Sequence, residues 1–143
     1  MKNGKQSALA ALVLLAALLC AACGKSQEAS VNYGSSELYT EKEMDTAIAL
    51  IRAEFDSWEG CELHSLRYAG DECQNPENVR WMGELAAAQG EEKPIVRCME
   101  FLSEFHSPKE SAGSWNPDEE YTDWQWWLAG TEDGDWLLLT WGY

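Results

Sequence analysis

The chain holds 143 residues, 25 of them acidic and 10 basic, for a formal net charge of −15. That length fits one ordinary domain. The charge excludes docking on nucleic acid, whose phosphates need Lys and Arg, and an aromatic content of 11% excludes a disordered chain.

The first 22 residues read as a signal peptide. Lys2 and Lys5 supply a short positive stretch, and Ala8 to Ala22 is an unbroken apolar run. Such a run is too short for a comfortable membrane span and suits a signal-peptide core. Ala21-Ala22-Cys23-Gly24 resembles the cleavage site of bacterial lipoproteins, although Cys20 stands where that motif usually has Leu. The resemblance implies that Cys23 becomes the first mature residue and carries lipid, palmitate included, on its thiol. Cleavage after Ala22 leaves 8 basic and 25 acidic residues, hence a charge of −17. That acidity argues against electrostatic docking on anionic lipid. The lipidated Cys23 is then the membrane attachment, at the outer face of the cytoplasmic membrane. Residues 23–38, rich in Ser and Gly, read as a flexible tether. A single domain is expected over 39–143.

Within that domain, Thr40 to Glu43 has the form of a capping box, with Tyr39 and Met44 placed as a hydrophobic staple. Met44, Ala47, Ile48, Ile51, Phe55 and Trp58 follow at helical steps, and Gly60 closes the predicted helix. Cys61 to Ala69 reads as a strand whose apolar parity reverses between Leu63 and Leu66; a bulge near Ser65 reconciles the two halves. Gly70-Asp71-Glu72 is a turn. Asn75 caps a second helix with Pro76 in its first position. Val79, Met82, Leu85 and Ala86 form its stripe, and Gly90 ends it. Pro94 to His106 is a strand with Ile95, Met99, Phe101 and Phe105 inward and Glu100 and Glu104 outward. A long loop over 107–120, a strand from Tyr121 to Ala129, a turn at Asp133-Gly134 and a strand from Trp136 to Tyr143 complete the order.

Helix, strand, helix and a three-stranded meander belong to the α+β class. The expectation is an N-terminal helix and a second helix on one face of an antiparallel sheet of about four strands. This order resembles cystatin-like and nuclear-transport-factor-like domains, which implies a curved sheet gripping a helix. The segments WEGCELHSLRYAGDE, EFHSPKE and YTDWQWWLAG resemble small lipoproteins of Firmicutes over most of the domain. That resemblance implies export and lipid anchoring and brings no activity with it.

Six of the eight tryptophans lie in the last 29 residues. Adjacent Trp126 and Trp127 must point to opposite faces of their strand. Parity puts Trp124, Trp126 and Leu128 on one face, and Tyr121, Asp123, Gln125 and Trp127 on the other. In the last strand Leu137, Leu139, Trp141 and Tyr143 look inward, leaving Trp136 on the reverse. Trp115, Asp123, Gln125, Trp127 and Trp136 are therefore the candidate ligand or partner surface, because indole stacks on sugars, planar ligands and cations and anchors interfaces. Core packing beneath the 107–120 loop is the competing expectation.

Beyond Cys23, the mature domain keeps Cys61, Cys73 and Cys98. Export permits one disulfide among them, leaving an odd thiol. Cys61–Cys73 is hard to close, since the strand between spans about 26 Å and the return covers about 14 Å. Cys73–Cys98, Cys61–Cys98 or three free thiols remain open. Cys61 and His64 have the outline of a metal pair, but strand positions of opposite parity oppose joint ligation. No metal, cofactor or catalytic motif is expected. The expected function is a non-catalytic binding or interaction module of the cell envelope. The alternative is a small hydrolase using acidic residues in a helix–sheet cleft, with Asp123 beside Glu100 or Glu104.

Overall fold

The computed structural model describes residues 28–110 and 113–143. Residues 1–22, read as a signal peptide, with Cys20 and Cys23, and the start of the stretch read as a tether lie outside the described residues. The elements run β1 (Ser30–Asn32), α1 (Glu41–Phe55), β2 (Glu62–Tyr68), a 3-10 turn (Asp71–Cys73), α2 (Pro76–Ala88), β3 (Ile95–His106), β4 (Glu120–Thr131) and β5 (Trp136–Gly142). They form an α+β domain around one five-stranded sheet of order β1-β2-β3-β4-β5. The sheet is mixed: β1 runs parallel to β2 and the other neighbours are antiparallel.

β1 is the strand beyond the expected four, and it lies in the stretch read as tether. Three residues are too few to show alternation. Its parallel pairing is set by the crossover through α1, the kind of connection parallel strands require. Tyr33 Oη, just after it, donates to Asp45 on α1 at 2.5 Å.

α1 starts where its capping box places it. Glu43 N donates to Thr40 Oγ1 at 3.3 Å, and Thr40 N donates to Glu43 Oε2 at 3.0 Å. Met44, Ala47, Ile48, Ile51 and Phe55 are its buried face. α2 is capped by Asn75, whose Oδ1 accepts from Asn78 N at 2.9 Å.

One extra residue in a strand reverses which face every later side chain meets, and this sheet does so four times. In β2 the extra residue is His64, beside the expected position. It puts Leu63, Leu66 and Tyr68 on the same side, opposite Phe105, Ser103 and Phe101. In β3 it is Val96, between Ile95 and Arg97. In β4 one extra residue separates Tyr121 from Trp124, next to Asp123 with its left-handed φ of 55°. In β5 it is Leu139, between Leu138 and Thr140.

The two helices therefore cover opposite faces, not one. Phe55 of α1 packs on Phe105 and Trp126, and Glu43 of α1 pairs with Arg97 at 2.9 Å. On the reverse, Trp81 of α2 packs edge-on against Trp127 at 5.2 Å. Gly83 brings α2 close to Ile95, with a Cβ-to-Cβ approach of 3.9 Å were it to carry a side chain. The bulge at Val96 is what turns Ile95 from the α1 side to the α2 side.

β3 outruns β2. β2 ends at Tyr68 opposite Phe101, so Cys98 has no strand partner on that edge. Two side chains substitute for the missing backbone. Cys98 N donates to Gln74 Oε1 at 2.6 Å, and Tyr39 Oη donates to Cys98 O at 2.8 Å. Burial pushes the Tyr39 hydroxyl pKa up, so it stays a donor. Losing the Gln74 amide leaves a buried N–H unpaired, which costs about 1–3 kcal/mol. Gln74→Ala should lower the unfolding free energy in urea by that amount; no loss would contradict the edge-pairing role.

Candidate functional site

β5 is a free sheet edge. Beside it, the C-terminal half of α1 and the end of α2 leave a groove of about 750 Å³. Its walls include Leu50, Ala53, Ala86, Leu137, Leu139 and Trp141. Trp136 also lines it and is itself buried, while Trp141 is 39% exposed. Gln89 Nε2 donates to Leu139 O at 3.0 Å, which satisfies a carbonyl that the bulge turns away from the ladder. Glu54 and Glu91 stand among the lining residues. A concave, aromatic-walled space of roughly 300–1,000 Å³ that also carries a few polar groups is a usual form of a small-ligand site.

The reverse face has a second surface, partly covered by α2. Gln125 and Trp127 share it with Leu102 and Glu100, their register partners on β3. Trp127 Nε1 donates to Gln125 Oε1 at 3.2 Å. Trp81 is 41% exposed above buried Trp127. Asp123 is held by Arg67 Nη2 at 2.7 Å. Burial pushes the Glu100 carboxyl pKa up, opposed by the Arg67 charge.

The expected surface of five residues is thus divided. Asp123, Gln125 and Trp127 stay together on the reverse face. Trp136 instead lies on the α1 side, 5.6 Å from Tyr39 and with the Arg97 guanidinium 4.8 Å above its ring. The Leu139 bulge returns Trp136 and Trp141 to one side, so simple alternation along β5 misplaces Trp136. Trp115 also lies on the α1 side, packed on Trp58 at 4.8 Å and Phe105 at 5.2 Å. Tyr121 joins it there, stacked on Phe105 at 4.8 Å, because of the extra residue in β4. Trp141 and Trp81 were not among the candidates. Trp81's only signal is that it stands outside the apolar stripe of α2.

Cys61, Cys73 and Cys98 are free thiols. Cys73 and Cys98 are buried neighbours: Cys98 Sγ donates to Cys73 O at 3.2 Å. Burial, then the neighbouring Cys73, pushes the Cys98 thiol up to about 12. Another cleft, of about 780 Å³, opens between the end of α1 and β2, where Arg52 is paired with Glu28 at 3.2 Å. No group of three or more His, Cys, Asp or Glu among the described residues can hold a metal ion. No described helix is long and apolar enough to cross a membrane.

Two outcomes follow from this geometry. A thiol reagent should label Cys61 in the native domain and reach Cys73 and Cys98 only after denaturation, as read by peptide mapping; rapid native labelling of Cys98 would contradict its burial. A carboxyl raised above its unfolded value favours folding at low pH and opposes it once pH passes the folded value. Glu100→Gln should therefore be more stable than the parent at neutral pH, with the gap closing in acid. A less stable variant at neutral pH would refute the burial cost.

No family model, no curated protein and no solved structure matches the chain.

Proposed function

We propose that the chain is a lipid-anchored, extracytoplasmic binding module that seats a flat, largely apolar ligand in the groove beside β5. The C–H face of a sugar ring, a planar aromatic molecule or an aromatic side chain of a protein partner offers such a surface. The observation that carries the reading is Trp141, exposed by 39% at a groove that it lines with Leu50, Ala53, Leu137 and Leu139. Indole at such a position offers a stacking surface without a local rearrangement. Asp123, Gln125 and Trp127, with Trp81, provide a second surface on the opposite face. Export and anchoring rest on Lys2, Lys5, the apolar run to Ala22 and Cys23. A cystatin-like curvature of the sheet about α1 is part of this proposal.

The groove lining carries no Ser, Thr, Cys, Lys or His, which supports a binding role over nucleophilic catalysis by such a side chain; its charged groups are Glu54 and Glu91. The hydrolase alternative draws on the raised Glu100 carboxyl and on the two carboxylates, Glu54 and Glu91, at the groove. Its expected partner Asp123 is engaged by Arg67, which leaves that carboxylate as an ion-pair member.

Titration with sugars and uncharged planar aromatics, followed by tryptophan fluorescence, tests the groove. Trp141→Ala should weaken the binding of an active compound about tenfold, the loss of one stacked contact of roughly 1.4 kcal/mol, and Trp81→Ala should not. Equal affinity in the parent and Trp141→Ala would remove the groove from consideration. Separately, Cys23→Ser should abolish palmitate incorporation and release the chain from the membrane fraction; retained labelling would overturn the anchor.

A further inference from the structure

The chain has two histidines, and the fold brings both to one carboxylate. His64 is the extra residue of β2, and His106 is the last residue of β3. Their rings are stacked, with centroids 6.4 Å apart and planes 19° from parallel. Glu120, at the start of β4, lies between them: Oε1 is 2.9 Å from His64 Nδ1, and Oε2 is 3.0 Å from His106 Nδ1. The other nitrogen of His106, Nε2, is 3.0 Å from Asp118 Oδ1. Glu62 on β2 stands 4.0 Å from His64 Nε2. These three carboxylates are the charged groups that face the rings. Glu104 on β3 is turned to Ser65, whose Oγ donates to it at 3.2 Å. Among the described residues no Lys or Arg pairs with Asp118 or Glu120.

An ionised carboxylate only accepts hydrogen bonds, a neutral imidazole offers one N–H, and an imidazolium offers two. His106 has a carboxylate oxygen at each ring nitrogen, so its arrangement needs both N–H groups and therefore the positive charge. His64 has a close carboxylate only at Nδ1, which a neutral ring satisfies. The demand for charge falls on His106.

We infer that His106 is a proton-operated clasp: charged, it ties the end of β3 to both Asp118 and Glu120, and on losing its proton it must release one of them. The junction it closes is well built. Asp118 holds a left-handed φ of 54°, and its N–H donates to Pro108 O at 2.8 Å. Beside it, buried Ser107 donates from N to Glu119 O at 2.9 Å and from Oγ to Asn116 O at 2.6 Å. Trp115 follows directly onto Trp58 and Phe105. Release of Asp118 therefore loosens the seat of Trp115 on the aromatic cluster. Hydrogen bonding to Asp118, then to Glu120, raises the His106 pKa from its ordinary value. A histidine raised in this way contributes its full stability below the unfolded value and loses it as pH rises through the folded one.

With two histidines in the untagged full chain, NMR titration of the imidazole signals reads His106 in the wild type. Its midpoint should lie above the reference of about 6.5, with both ring nitrogens protonated below it. The unfolding constant in urea should rise several-fold as pH climbs through that midpoint. Asp118→Asn places an amide beside Nε2 that can donate to a neutral ring, so it should flatten this response, while His64→Gln should keep it. A His106 midpoint at or below the reference would overturn the clasp. So would a wild-type unfolding constant that does not change through it, or an undiminished response in Asp118→Asn.

Discussion

The packing of Trp126 at the centre of the sheet is the contact on which the α1 side depends. Its ring is fully buried, and its Nε1 donates to Ser103 Oγ at 2.8 Å. Trp58, just past the end of α1, stacks on it at 5.1 Å, Trp141 lies at 5.9 Å and Phe55 at 6.5 Å. One indole thus joins the helix end, the central strands and the free edge. A buried indole with a satisfied N–H combines large apolar burial with a fixed orientation, which suits a residue that must locate three elements at once.

The four bulges determine what remains for function. Without them, the aromatic residues of β4 and β5 would divide between the two faces by alternation. With them, Trp115, Tyr121, Trp124, Trp126, Trp136 and Trp141 gather on the α1 side. Only Trp127 of the C-terminal indoles stays on the reverse, and α2 covers it. The uncovered aromatic edge is consequently at β5, where Trp141 reaches the groove. His64, the bulged residue of β2, is itself placed by the same device beside His106.

Features encoded within a few residues were legible in the sequence. The capping box at Thr40, the Asn75-Pro76 helix start and the parity reversal of β2 all rest on neighbours in the chain, and each appears where those neighbours put it. Features that depend on a partner strand were not. Parity along β4 and β5 assumes unbroken alternation, and nothing near Leu139 announces an extra residue. Asp123 carries a faint signal, because Asp tolerates the left-handed region better than most residues. β1 is too short for a pattern. The second face of the sheet becomes apolar enough for α2 only after Val96 turns Ile95 over. Alternation along β4 puts Asp123, Gln125 and Trp127 on one face, as the structure does, whereas Trp136 and Trp115 lie on the α1 side. The histidine pair needed the β2–β3 register, in which Glu62 sits opposite His106.

The distribution of the indoles between faces and solvent is the most exposed part of this account. Incorporation of 5-fluorotryptophan gives one ¹⁹F signal for each of the eight tryptophans, and single Trp→Phe variants assign them. With a soluble paramagnetic agent added, the signals of Trp81 and Trp141 should broaden strongly, and those of Trp126, Trp127 and Trp136 should stay sharp. Strong broadening of Trp136 together with a protected Trp141 would contradict the bulge in β5 and with it the groove.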